Sequence, residues 1–296
     1  MLRILATTFT ALAGLAFGSF LNVCVSRWPR KMSIVKPRSY CPECGRTLTW
    51  WENIPLLSWL ALRGRCRTCH NWISWRYPLV EVTIAALWAH ECLRCLNSIS
   101  RPGLIPYDFY SALATAIGNA VLDWLLVALA VLDAEHFWLP DWITLPGIAL
   151  GILYQLILSA LESFMWFFKE GFRWAMEKTV FAILVAAGII LLIRFVYWLI
   201  RRREGIGLGD VKLMAMLAAW FGLPRAALSF CLGVVLGALV ALVLLVASSI
   251  REKSSGRVHG WALQKLPLGT FLSIGGIVSV RWGERIIDAY RAWAGF

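Results

Sequence analysis

The sequence predicts an all-α polytopic membrane protein of about eight transmembrane helices, with a small polar module set between the first and the second. Three observations carry this expectation. The 296 residues are 59% apolar and 13% aromatic but only 16% charged, whereas ordinary soluble domains carry about 25% charged residues. Mostly apolar runs, of the roughly 20 residues needed to cross a bilayer, recur along the chain. Two Cys-x-x-Cys pairs lie together in one polar segment that interrupts those runs.

The apolar runs cover roughly residues 4 to 26, 79 to 97, 108 to 132, 142 to 161, 179 to 200, 211 to 224, 226 to 250 and 266 to 287. The first, which follows Arg3, also admits the reading of a cleaved signal peptide. Its apolar stretch is longer than the roughly 7 to 15 residues usual for one. The expected division is a first membrane helix over 1–26, a cytoplasmic cysteine module over 27–78 and a membrane domain over 79–296.

Orientation follows from Lys and Arg, because positively charged loops stay in the cytoplasm. Arg27, Arg30, Lys31, Lys36 and Arg38 follow the first run, which sets the N-terminus outside. Threading the remaining runs then brings Asp133, Arg201 to Arg203, Arg251, Lys253 and Arg257 inside. The loop after the fourth run fits less well, since Lys169, Arg173 and Lys178 fall outside, partly balanced by Glu162, Glu170 and Glu177. The net charge of +12 therefore reads first as topology and second as attraction to anionic lipid. Nothing in it resembles a nucleic-acid site.

In the module, Cys41-Pro42-Glu43-Cys44 and Cys66-Arg67-Thr68-Cys69 form two short turns, each offering two thiols. Two such turns close a tetrahedron in a zinc ribbon, and a metal would supply stability that so small a segment lacks. Cys41, Cys44, Cys66 and Cys69 are the expected ligands of a structural Zn; the alternative is free thiols in a reducing compartment. His70 adjoins Cys69, but four thiolates already fill the shell, which makes it a surface residue. Cys92 and Cys95 are read as packing residues near the outer end of the second run, Cys24 and Cys231 as small apolar fillers.

The chain has six aspartates, Asp108, Asp123, Asp133, Asp141, Asp210 and Asp288. Asp133 closes the third apolar run and Asp210 opens the sixth in Gly205-Ile206-Gly207-Leu208-Gly209-Asp210, so the topology brings both to one membrane level. Ionisable groups at membrane depth usually face a bundle interior or wet cavity and mark a functional path. Two carboxylates brought close share a proton, which yields an acid and a base at one site. Such a pair can activate water against a peptide carbonyl and protonate the leaving amine. The glycines would let the backbone before Asp210 turn sharply and approach an extended substrate strand. Each aspartate also has a plain reading, Asp210 as a helix cap and Asp133 as a cap or a partner of Arg201 to Arg203. Asp123 either lines the cavity or pairs with Arg194. Other chemistries fit worse, since His90-Glu91 lacks the second His of a zinc-protease helix and no nucleophile elbow or phosphate loop is present.

Further residues extend the pattern. Gly18-Ser19-Phe20-Leu21-Asn22-Val23 leads to Arg27 and Pro29, Trp51-Glu52-Asn53-Ile54-Pro55-Leu56-Leu57-Ser58-Trp59 stands between the cysteine pairs, and Ile73-Ser74-Trp75-Arg76-Tyr77-Pro78-Leu79-Val80-Glu81 ends the module. The two aspartate segments follow, then Leu266-Pro267-Leu268-Gly269-Thr270-Phe271-Leu272. In these ordered places, over nearly its whole length, the chain resembles the bacterial type IV prepilin peptidases, leader peptidases of the GxGD aspartyl type that are often also N-methyltransferases. The resemblance implies an aspartyl dyad at Asp133 and Asp210, with Glu135, Glu204, Gly207, Gly209 and Lys212 in support. It implies prepilin and pseudopilin substrates, each with a short basic leader cut after a glycine at the cytoplasmic face. It also implies methylation of the new N-terminus from S-adenosylmethionine, although no glycine-rich methyl-donor pattern is visible. The chain departs from the family in Leu268-Gly269-Thr270-Phe271, where Pro-Phe-Gly-Pro-Phe is expected, and in the charges Arg281, Glu284 and Arg285 of the last run.

Two readings from other classes compete: a transporter or proton channel, and an assembly protein that binds pilins without cutting them. A transporter would show related halves, and no internal repeat is present. Loss of all activity on replacing either aspartate separates the peptidase from both.

Overall fold

The computed structural model describes residues 1–100, 106–163, 168–203, 205–255 and 266–295. Among them the chain is all-helical, with isolated β-bridges only at Tyr40–Thr47 and Arg65–Trp72. The helices are α1 (Leu2–Arg27), a five-residue α2 (Leu57–Ala61), α3 (Arg76–Ile99), α4 (Pro106–His136), α5 (Asp141–Ser163), α6 (Phe168–Arg201), α7 (Leu208–Ser255) and α8 (Leu268–Ala294). Among the described residues five helices, α1, α4, α5, α6 and α7, are long and apolar enough to cross a membrane. Each of the eight expected runs falls on a helix, but two of them share α7. The helices α3 and α8 carry more charge, Arg76, Glu81, Glu91 and Arg94 in one and Arg281, Glu284, Arg285, Asp288 and Arg291 in the other.

The chain divides into two compact units, Met1–Ala128 and Leu129–Phe296, and the division falls within α4. In the first unit α1 and α3 lie against each other at very short range because Gly14 and Gly18 carry no side chain. A Cβ at Gly14 would stand 2.7 Å from the Ala85 Cα, and one at Gly18 would stand 2.7 Å from the Glu81 Cα. Two small residues four apart let helix backbones meet this way, which matters in lipid, where apolar burial does not drive helices together. The early part of α4 joins this pair through indole and amide donors. Trp124 Nε1 donates to the Phe17 carbonyl (3.2 Å), Trp88 Nε1 to the Ala120 carbonyl (3.0 Å), and Asn119 Nδ2 to Glu91 Oε2 (2.9 Å).

The cysteine module is moored to α1 and α3 by buried polar groups. Asn22 Nδ2 donates to the Tyr77 carbonyl at 3.0 Å. Arg27 at the end of α1 donates to the carbonyls of Ser33 and Pro37. Glu81 of α3, 6% exposed, accepts from the Leu56 N–H at 2.7 Å and from the Ser19 hydroxyl. Within the module Glu52 accepts from Arg46, from the Thr49 N–H and from the Thr49 hydroxyl. The Arg46 hydrogen bond, first among these, holds the Glu52 carboxyl down at about 2. A carboxyl depressed in the folded state adds stability above its ordinary range near 4.5, and that contribution disappears as pH falls through about 2.

In the second unit α7 is the central element, and it contacts α5, α6 and α8. It is two helices joined at a kink, where Phe221 (φ −138°) and Gly222 (φ 77°) leave the helical region ahead of Pro224. Gly222 is needed for its dihedral, since a Cβ there would meet nothing within 4 Å. Just before the kink Trp220 is seated on α5: its Nε1 donates to the Gly147 carbonyl (2.9 Å), and its ring fills the space left by Gly151. α8 packs after the kink, with Gly275 against the Ser229 carbonyl and Gly233 against Leu272.

These contacts predict opposite outcomes for two glycines. Gly18→Ala forces backbone apart and should destabilise the detergent-solubilised protein by about 1–3 kcal/mol. Gly188→Ala in α6, where a Cβ meets nothing within 4 Å, should be neutral or stabilise by up to about 1 kcal/mol. Thermal melts of the two variants beside the parent check both.

Candidate active site and metal centre

Four element ends of the second unit meet at one point: the C-terminus of α4 and the N-termini of α5, α7 and α8. The first four N–H groups of any helix lack an intrahelical acceptor, and in an apolar setting they must find one. Asp133, in the last turn of α4 and 6% exposed, supplies that acceptor to α8. Its Oδ2 accepts the Thr270 N–H at 2.8 Å, the Gly269 N–H also points to it, and the Thr270 hydroxyl stands 3.3 Å away. The same hydroxyl donates to the Ala130 carbonyl at 2.9 Å, which ties the start of α8 to α4 a second time.

Asp210, 9% exposed, plays the corresponding part on its own helix. Residue 208 begins α7, so Asp210 is its third residue, and its Oδ2 accepts the Gly207 N–H at 3.1 Å. This is the reciprocal half of a capping box, with an acid at the third position reaching back to the capping residue. The capping role expected as the plain alternative is therefore present, and it occupies one carboxylate oxygen of each aspartate. The two carboxylates are close enough to interact electrostatically. Helix N-termini carry partial positive charge, which favours carboxylates at both places.

Leu139 packs between the two. A Cβ at Gly209 would stand 2.8 Å from the Leu139 Cβ, and one at Gly269 would stand 2.7 Å from Leu139 Cδ1 and 3.0 Å from Asp133 Oδ2. Gly205 likewise lies against the Tyr197 ring, at 2.5 Å from a would-be Cβ. This differs from the expectation that the glycines before Asp210 serve a sharp turn and a substrate strand. None of Gly205, Gly207 and Gly209 has a positive φ, and the space two of them leave is filled by Tyr197 and Leu139 of the chain itself. Phe137, with φ 51°, reverses the chain after α4 so that Leu139 and Pro140 return to the site before α5 begins.

Among the other expected residues, Lys212 Nζ lies 2.5 Å from Asp141 Oδ1 and bridges α7 to the start of α5. Glu135 is exposed, 3.9 Å from His136 Nε2. Glu204 lies outside the described residues. Asp123 is fully buried in the part of α4 that belongs to the first unit. Sequence reasoning did not single out Thr270, Gly269 or Leu139 as site residues. The signal for the first two was their place in a Gly-Thr pair opening the last apolar run, where two free N–H groups must find an acceptor.

The second centre is the cysteine module. The Sγ atoms of Cys41, Cys44, Cys66 and Cys69 all lie within 4.8 Å of one another, and Cys41 and Cys69 are 3.8 Å apart. A tetrahedron with metal–sulfur bonds of about 2.3 Å has edges of about 3.8 Å, so the cluster fits a four-thiolate ion. The two turns repeat one design. The Cys41 N–H donates to the Arg46 carbonyl and the Gly45 N–H to Cys41; the Cys66 N–H donates to Asn71 and the His70 N–H to Cys66. His70 (φ 56°) thus occupies the left-handed position that Gly45 (φ 69°) takes in the first turn. It is a turn residue outside the thiol cluster. The N–H groups of Cys69, foremost, and of Thr68 point at the Cys66 sulfur and hold its thiol down at about 6, which favours the thiolate a metal requires.

Comparison with known proteins follows the same division. Residues 12–95 match the Bacterial Peptidase A24 N-terminal domain, and residues 120–242 match the Type IV leader peptidase family. A protein of Pseudomonas aeruginosa named prepilin leader peptidase/N-methyltransferase is 31% identical over 97% of this chain and 94% of its own length. One of the same name from Myxococcus xanthus is 40% identical over 82% of this chain and 64% of its own length. A type 4 prepilin-like proteins leader peptide-processing enzyme of Escherichia coli is 33% identical over 90% of each chain. No solved structure matches. With identity of this extent running through both the cysteine module and the aspartate-bearing helices, the chain belongs to the type IV leader peptidase family.

Proposed function

We propose that this protein is an intramembrane aspartic endopeptidase that removes the short basic leader from prepilins or pseudopilins, with Asp133 and Asp210 as its catalytic pair. The observation that carries the reading is the arrangement of the two carboxylates. Each has its Oδ2 engaged by a helix N-terminus, and each keeps Oδ1 clear of those hydrogen bonds. A pair of this kind, close enough to interact and sharing one proton, provides base and acid together. One carboxylate takes a proton from water as the oxygen bonds to the peptide carbonyl carbon. The other gives its proton to the leaving nitrogen as the C–N bond breaks. Because Leu139, Gly209 and Gly269 hold the backbone close around both acids, little reorganisation accompanies these transfers.

The exposed apolar side chains near these helix ends, Phe137, Trp138, Trp142 and Leu208, suit the apolar helix that follows the cleaved glycine. In this reading the site faces the cytoplasm in the bacterial inner membrane, since Arg201 to Arg203 lie at the same end of α6 as the α7 N-terminus. The organisation is a first membrane helix over 1–26, a zinc module over 27–78 and a peptidase domain over 79–296. Glu135, Glu204 and Lys212 bear on the site through charge. The four cysteines hold Zn as a structural ion, its shell closed. N-methylation of the mature pilin from S-adenosylmethionine rests on family membership, with no residue of this chain assigned to the donor.

Purified protein in detergent should cleave a peptide with a basic leader, a Gly-Phe junction and an apolar helix on the C-terminal side of that glycine. Asp133→Asn and Asp210→Asn should each lower the rate by on the order of 10³-fold or more, while Asp288→Asn leaves it unchanged. Cleavage by either Asn variant at near the parental rate would overturn the pair. Gly269→Ala, which presses on both Leu139 and Asp133, should reduce kcat by roughly tenfold or more with little change in KM. Metal analysis should return one zinc per chain. Cys41→Ser should lose it and His70→Gly should retain it, since glycine suits the positive φ at that position.

A further inference from the structure

Beside the four-cysteine cluster the module carries a basic surface that the peptidase site does not use. Of the residues 27–78, ten are Lys or Arg and two are Glu. Three of the cations, Arg63, Arg65 and Arg67, line a cleft of about 580 Å³ together with His70, Trp72 and Cys66, whose sulfur belongs to the four-cysteine cluster. All three are exposed, and among the described residues none of them pairs with a carboxylate. Arg67 stacks on the Trp51 ring at 5.2 Å. Arg46, the partner of Glu52, also interacts with Cys66. Trp72 continues into a cluster with Trp59 and Trp75, at 6.2 Å and 6.1 Å between ring centroids. The cluster is fixed in place, since Trp59 Nε1 donates to the Ile73 carbonyl and its ring lies over Gly64. Even so, Trp72 is 52% and Trp75 62% exposed.

The height of this surface follows from the helices it joins. Asn22 of α1 is hydrogen-bonded to Tyr77 in the first turn of α3, and α1 ends at Arg27. Five residues of helix rise about 7.5 Å, so Trp75, immediately before α3, lies about one to two turns from the end of a membrane-spanning helix. Trp side chains with an apolar face and a wet edge belong at that level, as do Arg side chains reaching for phosphate. The proposed substrate leader is itself basic, so like charge excludes it from the cleft.

We propose that Arg63, Arg65 and Arg67, beside the Trp72–Trp75 cluster, form a binding site for the phosphate headgroup of an anionic membrane lipid. The guanidinium groups take the phosphate oxygens, with the indoles against the glycerol and upper acyl region. The module thereby lies on the bilayer surface, in addition to its mooring on α1 and α3.

The test is native mass spectrometry of the full-length protein in an uncharged detergent, titrated with phosphatidylglycerol and with phosphatidylcholine of the same acyl chains. The parent should retain phosphatidylglycerol at least about tenfold more tightly than phosphatidylcholine. The triple variant Arg63→Gln/Arg65→Gln/Arg67→Gln should lose that preference by at least about tenfold, each cation near an anionic headgroup being worth several-fold. Metal content of the same samples reports whether the module is folded. Should the triple variant lose metal, Arg63→Gln/Arg65→Gln leaves the Arg67–Trp51 stack in place and should still lose at least about fivefold. Three outcomes would overturn the proposal: no lipid preference in the parent, an equal loss in Arg201→Gln/Arg202→Gln/Arg203→Gln, or displacement of the lipid by millimolar inorganic phosphate. The second would make net charge the cause, and the third would make the cleft a small-anion site.

Discussion

Unsatisfied N–H groups at the starts of helices are the constraint on which the candidate site depends. In water such groups are solvated; beside a bilayer they must be met by the chain. Asp133 meets those of α8 and Asp210 meets one at the start of α7. The bonds that build the helix ends are therefore the same bonds that orient the two carboxylates. Among the described residues neither aspartate is held by a salt bridge, which would neutralise it. Each is held by backbone N–H groups through Oδ2, which fixes its position and, in the proposed function, leaves the second oxygen for chemistry.

Glycine serves packing more than bending in this molecule. At Gly14, Gly18, Gly209, Gly269 and Gly275 the absent Cβ admits a neighbouring backbone or the Leu139 side chain. Among the described residues, only at Gly222 does the conformation of a membrane helix itself demand glycine. The difference bears on the proposed function, because close packing around Asp133 and Asp210 would limit the reorganisation that accompanies proton transfer by such a pair.

In the first unit, buried polar groups perform a related task between a membrane helix pair and a small module. Glu81 is bonded to Leu56, Asn22 to Tyr77, and Arg27 to Ser33 and Pro37. The motif residues of the N-terminal half are thus largely mooring points. They position a four-cysteine module small enough for a bound metal to matter to its stability, and its exposed arginines and tryptophans then face the headgroup layer in the proposed arrangement.

Composition alone determined that the chain is helical and membrane-embedded, because charged residues are too few for a soluble surface and the apolar runs match bilayer thickness. Cysteine spacing determined the four-sulfur cluster, since two short turns present four sulfurs whatever surrounds them. The special standing of Asp133 and Asp210 was also legible, in the scarcity of acids and in their place at the ends of apolar runs. Their partners were not. That the Gly269 and Thr270 N–H groups close on Asp133, that Leu139 fills the gap between two glycines, and that His70 stands where its sister turn has Gly45 are contacts between segments distant in the chain, or dihedral choices that no residue pattern announces. Local periodicity and spacing report what a segment prefers by itself. Which helix N-terminus a carboxylate caps is decided only when the helices have packed, and only the tertiary structure holds that answer.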